Sequence, residues 1–339
     1  MRQLSFVAPG QFEWQDVPEP RVDDARHAVV RPLAVARCDL DLYIATGLVP
    51  FPGPFAFGHE MVGEVIDAGD AGDAAGVEPG QRVVVPFQIS CGSCAPCRRG
   101  LTGSCASVPP YSAFGLGGGR LDYGGALSDA ILVPFADAML VPLPAGIDPV
   151  AAAGAADNIP DGWSAVAPQL AEMPGASVLV VGGLAQSVGI YAAGTAVALG
   201  SGRVLYLDDN AGNRDRARAM GAEVAPLSFD RAEQFEIVVE AAGSEAALGF
   251  AIRSCAPNGI VTSVAMHLGK TTAIPLTLAY YKGLTLHTSR ASARRWLPQV
   301  LDCIACGRLH PEHVTHRVLP FAEAGGAMTD PGPKLVFTP

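Results

Sequence analysis

Four cysteines in a short stretch form the most specific chemical signal in the sequence. They are Cys91, Cys94, Cys97 and Cys105, and two residues lie between Cys91 and Cys94 and between Cys94 and Cys97. This spacing lets three thiolates turn toward one centre, and the seven residues before Cys105 suffice for a loop that returns the fourth sulfur. The pattern predicts a tetrahedral structural zinc site within a lobe at residues 88–110. An iron–sulfur cluster and buried thiols remain alternatives.

A second group of metal-ligand types lies nearer the N terminus, around Cys38 and His59. Asp41 follows Cys38 by three residues, and Glu60 follows His59 directly. One cysteine, one histidine and nearby carboxylates are the ligands that a catalytic zinc takes when one coordination position stays open. On their own, one cysteine and one histidine are weak evidence for a metal.

A glycine-rich turn between two apolar runs predicts a dinucleotide site. The runs are Ser177–Val181 and Arg203–Leu207, and the helix-compatible segment Ile190–Leu199 lies between them. Glycines let the backbone approach a pyrophosphate, a helix N terminus offers N–H groups to its charge, and an acid after the second strand accepts from the ribose hydroxyls. The expected contacts to the cofactor are Gly182, Gly183, Leu184, Ser187, Val188, Asp208 and Asp209.

The turn departs from a strict G-x-G-x-x-G pattern. Leu184 and Ser187 occupy two of the glycine positions, and Gly189 comes two residues late. A plain strand–helix–strand crossover is therefore one alternative. A membrane span is another, because residues 175–202 carry no charge, but their glycines and the polar Gln186 argue against it.

The acid after the second run favours NAD over NADP. The carboxylate of Asp208 can accept from a ribose 2′-OH and would repel a 2′-phosphate. Arg214 and Arg216 are close in sequence and could attract a phosphate, although with Asp215 and Arg218 they also fit a charged helix face.

Composition limits the partners that can be expected. The 339 residues suggest about two domains, and 39 glycines with 28 prolines predict many short elements joined by tight turns. The net charge of −10 without a basic stripe indicates neither a nucleic-acid nor a membrane partner, so a small molecule is expected. The N-terminal residues lack the apolar core of a signal peptide, which favours a cytoplasmic enzyme with thiols rather than disulfides.

The remaining segments predict short strands and helices around these motifs. We expect a β-rich opening up to about Pro32, strands at Phe235–Glu240 and Gly259–Val264, and a linking helix that begins within Gly162–Pro168. The other cysteines are interpreted as buried thiols: Cys255, Cys303 and Cys306. No metal site is expected at three later histidines, because Pro311 interrupts the helix that would align them: His310, His313 and His316.

Taken together, these motifs resemble the zinc-dependent medium-chain dehydrogenase/reductase family, the alcohol and polyol dehydrogenases. The resemblance covers nearly the whole chain and rests on the order of several motifs. They are Cys38-x-x-Asp41, Gly58-His59-Glu60, the four-cysteine lobe, Leu132-Val133-Pro134, the glycine-rich unit, Met220-Gly221-Ala222, Val238 to Gly243, and Lys334-Leu335-Val336.

The resemblance implies an α/β fold with two domains. A GroES-like β-rich catalytic domain would comprise residues 1–155 and 290–339, and a Rossmann domain with a doubly wound parallel sheet would comprise residues 156–289. It also implies two zinc ions and NAD as cofactors, and a homodimer or homotetramer that pairs through the edge strand Gly283–His287.

The resemblance also assigns roles to individual residues. Cys38, His59 and Asp157 would hold the catalytic zinc, with Glu60 as an alternate ligand and Asp41 orienting the histidine. Asp161 would face the cofactor, the loop Ala265-Met266-His267 would border the nicotinamide, and Ala242 would also contact the cofactor. From residue type alone, Asp157 and Asp161 would be solvated loop or helix-cap carboxylates, and His267 a loop histidine.

The activity implied is reversible oxidation of a primary or secondary alcohol, or of a polyol, with hydride transfer to NAD. One residue departs from the family pattern: Leu40 stands where Ser or Thr usually carries the alcohol proton, and leucine cannot do so. Three readings remain: Asp161 or Glu60 with water takes the proton, the enzyme favours a substrate that needs another route, or turnover on simple alcohols is poor. Phe87, Leu40 and Trp163 suggest an apolar pocket, although core packing explains them equally well.

Two other classes of function remain open from the sequence. A catalytically silent NAD-binding or regulatory protein could keep the same fold. A dismutase or lyase could instead hold NAD tightly and regenerate it within each cycle.

Overall fold

The computed structural model describes residues 1–69, 76–117, 122–230, 232–288 and 290–339, and it divides into two compact units. The first unit comprises Met1–Pro160, Ser292–Ala305 and Thr315–Pro339, and the second comprises Asp161–Ala291 and Cys306–Val314. Domain boundaries after residues 155 and 289 remain our proposal for the functional domains.

The first unit consists mainly of antiparallel strands. Its strands are β1 (Arg2–Ala8), β2 (Gln11–Asp16), β3 (Ala28–Ala36), β4 (Phe55–Ala56), β5 (Glu60–Asp67), β6 (Arg82–Val85), β7 (Ile131–Val133), β8 (Val141–Pro142), β15 (Thr315–Pro320) and β16 (Lys334–Thr338). Its helices are α1 (Asp39–Ala45), α2 (Ala95–Arg98), α3 (Ala136–Met139), α4 (Pro149–Ala152), α11 (Ala293–Ala305) and α12 (Ala324–Ala327), with 3₁₀ turns at Thr102–Ser104, Ala153–Ala156 and Phe321–Glu323.

Strand β3 organises the larger sheet of this unit. The sheet has the order β15-β16-β3-β5-β6-β8, β7 also pairs with β3, and β1, β2 and β4 form a separate sheet. Most residues of β3 are buried because neighbours cover it on both sides. Its Pro32 lies where the register with β5 shifts, which is where a strand tolerates a residue without an N–H. The core beneath is aromatic, with Phe6 and Phe57 packed at 6.2 Å between ring centroids.

The second unit contains a parallel sheet with helices between its strands. Its strands are β9 (Val178–Val181), β10 (Val204–Leu207), β11 (Glu223–Ala225), β12 (Phe235–Glu240), β13 (Cys255–Ser263) and β14 (Thr285–Thr288). Its helices are α6 (Ala167–Glu172), α7 (Gln186–Ala198), α8 (Ala211–Ala219), α9 (Glu245–Ser254) and α10 (Leu276–Lys282), with a 3₁₀ turn at Pro311–His313; helix α5 (Asn158–Ser164) crosses the boundary between the units.

The strand order β11-β10-β9-β12-β13-β14 defines a doubly wound sheet, since numbering the six strands along the chain gives the order 3-2-1-4-5-6. All pairs in it are parallel. Strand β9 is buried along its whole length, as expected of a central strand covered on both faces. The predicted α/β fold class is confirmed. Strand β14 forms one edge, and its proposed role in subunit pairing stays a prediction.

Three local predictions from the sequence were wrong. The linking helix begins at Asn158, before the predicted start, because Pro160 and Pro168 both lie in first helical turns, where a missing N–H costs no hydrogen bond. Helix α7 begins at Gln186, four residues earlier than the predicted segment. Cys306 is exposed because α11 ends just before it, whereas Cys255 and Cys303 are buried.

Among the described residues, none of the helices has both the length and the apolar character needed to cross a bilayer. The membrane-span alternative for residues 175–202 is therefore not supported, because this segment forms β9, a turn and the 13-residue helix α7.

We predict that Gly63→Ala destabilises the protein. Gly63 lies in β5, and a Cβ atom there would meet Val30 Cγ1 at 2.3 Å and the Arg31 carbonyl oxygen at 2.9 Å. Overpacking of this kind costs about 1–3 kcal/mol, measurable as a lower midpoint of urea unfolding. The matched control is Gly326→Ala in α12, where a Cβ would meet nothing within 4 Å. Equal midpoints for the two variants would contradict the prediction.

Candidate metal centres and nucleotide site

Helix α1 positions two residues of the expected catalytic zinc site. Cys38 lies directly before the helix, and Asp41 lies in its first turn. Asp41 Oδ2 accepts the backbone N–H of Cys38 at 2.9 Å, so the carboxylate caps the helix N terminus. Its other oxygen, Oδ1, lies 3.4 Å from His59 Nδ1. Because Asp41 follows Cys38 by three residues, its carboxylate can cap the helix and also lie next to the imidazole of His59.

The pairing of β3 with β5 brings His59 to Cys38. Ala36 of β3 pairs with Glu60 of β5, so the residues just beyond this pair, Cys38 and His59, lie side by side. His59 is 1% exposed, and its Nε2 lies 3.4 Å from Asp157 Oδ2. An imidazole that turns Nδ1 toward a carboxylate presents Nε2 as a metal ligand.

Asp157 completes the cluster from a third segment. It follows the 3₁₀ turn Ala153–Ala156, and its Oδ2 lies 3.3 Å from Cys38 Sγ. One ligand atom from each of four buried residues lies within 4.8 Å of the others: Cys38, His59, Glu60 and Asp157. The structure therefore brings together residues that are 119 positions apart in sequence.

The electrostatics of the cluster fit a divalent cation. Burial raises the pKa of Cys38, and it raises that of Glu60 to about 8 although Lys334 acts in the opposite direction. Burial alone would lower the pKa of His59, but Asp41 and Asp157 raise it to about 9. The shifts of Cys38 and Glu60 come first from burial, with neighbouring acidic groups adding to them, whereas the shift of His59 comes from the acidic groups around it.

The charges and the hydrogen bonds of the cluster both favour a divalent cation. Ionised Cys38, Asp157 and Glu60 carry three negative charges, and Lys334 Nζ, 2.6 Å from Glu60 Oε2, supplies one positive charge. A divalent cation would offset the remaining negative charge of these three ligand groups. Among the described residues, the buried Glu60 Oε1 has no hydrogen-bond partner, and this oxygen is therefore available to a ligand. Thiolate, imidazole and carboxylate are donors that zinc accepts.

Other residues expected near this site have different surroundings. Asp161 lies on α5 but in the second unit, where its carbonyl oxygen accepts the Ser164 hydroxyl at 2.9 Å. Leu40 packs against the hydrophobic core of the first unit. The ring of Phe87 lies 5.4 Å from that of His59, next to the metal cluster.

The four-cysteine lobe forms a second cluster. The ligand sulfurs of Cys91, Cys94, Cys97 and Cys105 lie within 4.8 Å of one another. The sulfurs of Cys94 and Cys105 are 3.8 Å apart, far beyond a disulfide bond. Backbone N–H groups point at them: Cys94 N to Cys91 Sγ and Ala106 N to Cys94 Sγ, both at 3.4 Å. Such N–H groups stabilise thiolates.

The four thiols of this lobe are not equivalent. Burial raises the pKa of Cys97 to about 12. Cys91 is buried too, but hydrogen bonds from Ser107 and Ser93 lower its pKa to about 5. Adjacent sulfurs therefore resist simultaneous ionisation unless a cation is present, which fits a tetrathiolate metal site.

A third group lies at the surface. The 3₁₀ turn that begins at Pro311 brings His310, Glu312 and His313 together, with the two rings 5.6 Å apart. The sequence argument that Pro311 keeps these histidines apart was therefore wrong for this pair. All three side chains are exposed, and His310 Nδ1 lies 2.9 Å from Glu312.

The residues expected to hold a nucleotide lie together at the carboxyl ends of the parallel strands. Asp208 follows β10 and is 4% exposed. Its Oδ2 accepts the hydroxyl of Tyr206 at 2.7 Å and the amide of Asn213 at 3.1 Å, and its Oδ1 accepts the N–H of Asn210 at 2.7 Å. Among the described residues this leaves one acceptor position on Oδ1. Asp209 is exposed beside it.

The irregular glycine turn has a steric explanation. A Cβ on Gly182 would lie 2.5 Å from Asp208 Oδ2, and one on Gly183 would lie 2.5 Å from the Cα of Ala242. Leu184 fits where a glycine is usual because Gly243 makes room for it: a Cβ on Gly243 would lie 2.9 Å from Leu184 Cδ1. Ser187 and Val188 then fall in the first turn of α7.

The Glu240 carboxylate connects two loops that the family resemblance places next to the cofactor, one at Ala242 and one at His267. Its Oε1 accepts the N–H groups of Ala242 and Gly243 at 2.9 and 2.6 Å. His267 Nε2 lies 3.2 Å from Oε2 of the same carboxylate. These contacts give His267 a structural role in its loop, as residue type suggested, next to the half-exposed Met266.

Several residues that shape these sites carry no motif that marks their role in the sequence. Tyr206 and Asn213 hold the Asp208 carboxylate by hydrogen bonds. The segment Val238 to Gly243 was recognised as a family motif, but no role was predicted for its Glu240. Asn158 and Lys334 contact the metal cluster. The lysine at the start of the apolar strand Lys334–Thr338 could have indicated a buried ion pair, since a buried cation needs an acidic partner.

Comparisons with known proteins identify the family of the two matched domains. The alcohol dehydrogenase GroES-like domain model matches residues 24–145, and the zinc-binding dehydrogenase model matches residues 187–305. The chain is 30% identical over 331 residues to a probable zinc-binding alcohol dehydrogenase of Mycobacterium tuberculosis, covering 96% of this chain and 83% of that protein. It is 32% identical over 242 residues to the glutathione-independent formaldehyde dehydrogenase of Pseudomonas aeruginosa, covering 68% of this chain and 59% of that protein.

Solved structures show the same architecture. An alcohol dehydrogenase from Thermus sp. ATN1 superposes with a TM-score of 0.89 at 28% identity, covering 100% of this chain and 99% of that one. Acetophenone reductase from Geotrichum candidum in complex with NAD has a TM-score of 0.83 at 22% identity, covering 100% and 97%, which indicates a common fold.

The fold and the matched domains define an oxidoreductase of the zinc-binding dehydrogenase class. The chain belongs to the zinc-dependent medium-chain dehydrogenase/reductase family. The family resemblance seen in the sequence motifs is thus confirmed.

We predict that Cys97→Ser lowers the zinc content by about one ion per chain, because four sulfurs are needed to close a tetrahedral site. Metal analysis of the purified protein measures this directly. Cys306→Ser, an exposed cysteine outside the lobe, is the matched control and should leave the zinc content unchanged. Equal zinc content in both variants would remove the structural-zinc assignment.

Proposed function

We propose that the protein is a zinc- and NAD-dependent alcohol dehydrogenase that reversibly oxidises a primary or secondary alcohol, or a polyol, to an aldehyde or ketone. The observation that carries the proposal is the buried cluster of Cys38, His59 and Asp157, with Glu60 beside it. A zinc ion held there would act as a Lewis acid toward the alcohol oxygen, and NAD would accept the hydride.

The residues around the cluster have supporting roles in this proposal. Asp41 holds the Nδ1 side of His59 and thereby fixes Nε2 as the ligand atom. Burial of all four ligand residues excludes water, which strengthens electrostatic interactions at the reacting oxygen. Phe87 contributes an apolar wall next to His59, which favours substrates with an apolar part.

The alcohol proton needs a route that avoids position 40, since Leu40 is packed in the core. We assign the proton either to Glu60 Oε1, which lacks a hydrogen-bond partner among the described residues, or to Asp161 with water. The pH profiles of Glu60→Gln and Asp161→Asn decide between them, because only the residue that takes the proton contributes its pKa to the profile.

NAD is the proposed cofactor because of the surroundings of Asp208. Its carboxylate retains one acceptor position, which suits a ribose hydroxyl and disfavours a phosphate. Arg214 donates to the backbone carbonyls of Asp208 and Asp209 at 2.7 and 2.9 Å, and this arginine therefore stabilises the loop. A cytoplasmic location and a homo-oligomeric state are proposed together with this function.

We expect wild-type protein to hold two zinc ions and to reduce NAD, in preference to NADP, with members of a panel of alcohols and polyols. His59→Ala should hold about one zinc ion and lose activity by at least about 100-fold, since Lewis-acid catalysis contributes several kcal/mol. Zinc analysis and absorbance of the reduced cofactor are the measurements.

Other outcomes distinguish the alternative functions. A single zinc ion that His59→Ala leaves in place, with no NAD reduction, would favour a silent NAD-binding relative. Turnover without added cofactor would favour a dismutase or lyase that retains NAD.

We predict that Gly182→Ala weakens NADH binding by about tenfold or more, since a Cβ atom there would displace Asp208 and the Tyr206 hydroxyl, which lies 2.6 Å from its position. Titration of cofactor fluorescence measures the affinity. Gly249→Ala in α9 is the control, because its Cβ would meet only Arg253 at an ordinary 3.6 Å. Unchanged affinity in Gly182→Ala would show that this turn does not position the cofactor.

A further inference from the structure

Asn158 links two proposed zinc ligands to a buried lysine. The residue is 3% exposed and opens helix α5 directly after Asp157. Its Nδ2 donates to Cys38 Sγ at 3.2 Å and to Asp157 Oδ2 at 3.0 Å. Its Oδ1 accepts from Lys334 Nζ at 2.7 Å. One amide therefore contacts groups from three separate segments of the first unit.

The orientation of this amide follows from its partners. A lysine ammonium group can only donate hydrogen bonds, whereas a thiolate and a carboxylate can only accept them. The amide oxygen must therefore face Lys334, and the NH₂ group must face Cys38 and Asp157. A flipped amide would place oxygen against two acceptors and NH₂ against a donor, so Lys334 locks the orientation.

Lys334 also reaches two other groups. It is 1% exposed, and its Nζ donates to Glu60 Oε2 at 2.6 Å and to the carbonyl oxygen of Arg37 at 3.2 Å. An ammonium group has three N–H donors, and Asn158, Glu60 and Arg37 each offer it an acceptor. Glu60 and Asn158 thus share one cation, and the backbone just before Cys38 is held by the same group.

We propose that Asn158 is a positioning residue of the metal centre. Its amide, locked by Lys334, fixes the separation of the Cys38 sulfur and the Asp157 carboxylate and withdraws charge from both ligands. The inference rests on the proposed zinc site. Because N–H donors to a thiolate weaken its electron donation, the amide makes a bound divalent cation a stronger Lewis acid toward the alcohol oxygen.

The first test measures zinc affinity by competition with a chromophoric chelator. Asn158→Leu keeps the approximate size of the side chain but removes every hydrogen bond, and we expect about 10–100-fold weaker binding, the usual effect of losing a residue that orients a metal ligand. Asn158→Ala serves as a second variant if the leucine does not fit. Ser128→Ala is the matched control, since Ser128 is buried in the same unit with hydrogen bonds only to Gly125 and Ala130 among the described contacts.

The second test separates positioning from simple packing. In cobalt-substituted protein, the thiolate-to-metal absorption band reports electron donation by sulfur, and the spectrum of His59→Ala is subtracted to remove the four-cysteine lobe. We expect the band of Asn158→Leu to move to longer wavelength, because the sulfur loses an N–H donor. A purely structural role would lower the unfolding midpoint without moving the band.

Lys334→Met tests the lock itself. We expect it to move the band in the same direction as Asn158→Leu, and the double variant to show less than the sum of the two shifts, because the lysine reaches the sulfur through the amide. Fully additive shifts would contradict that link.

The proposal is overturned if folded Asn158→Leu binds zinc within about twofold of wild type with an unchanged cobalt band. That result would leave the dehydrogenase function intact. A wild-type protein without zinc at His59 would instead refute the proposed function and, with it, the role of Asn158.

Discussion

The close packing of acidic ligand groups in a buried space is the constraint on which the first unit depends. Cys38, Glu60 and Asp157 approach one another where water cannot screen their charges, an arrangement that is costly unless cations compensate it. The protein supplies one cation itself, Lys334, and orients it through Glu60 and Asn158. The pairing of β16 with β3 and of β3 with β5 therefore also brings Lys334 to the acidic groups whose charge it compensates.

The sequence revealed those parts of the site that depend on short spacing. The four cysteines, Cys38 with Asp41, and the order of strand, glycine turn and acid are local patterns, and local patterns reflect local geometry. The α/β class and the doubly wound sheet were implied by the family resemblance that these motifs carry. Asp157 was assigned only through the family resemblance, since a lone aspartate after a run of alanines is compatible with many environments.

Contacts between distant segments could not be predicted in this way. Lys334 lies 274 residues from Glu60, and no periodicity connects them. The glycine turn shows a second limit, because Leu184 breaks the expected pattern and Gly243, 59 residues later, provides the space that Leu184 needs. The fit of Leu184 depends on contact between two loops, whereas a sequence motif describes only one of them. The start of the linking helix was mispredicted although the proline rule is local. A proline fits the first turn of a helix, and both Pro160 and Pro168 meet that condition, so the rule alone permits two starts.

The position of Lys334 has a consequence for how the protein is made. The lysine follows Asn158 by 176 residues, and the whole second unit is encoded between them. During translation, the ribosome therefore releases every metal-binding side chain long before the cation that balances them emerges. A nascent chain ending before β16 would hold this acidic cluster without its lysine, which favours late closure of the first unit and late capture of the proposed metal.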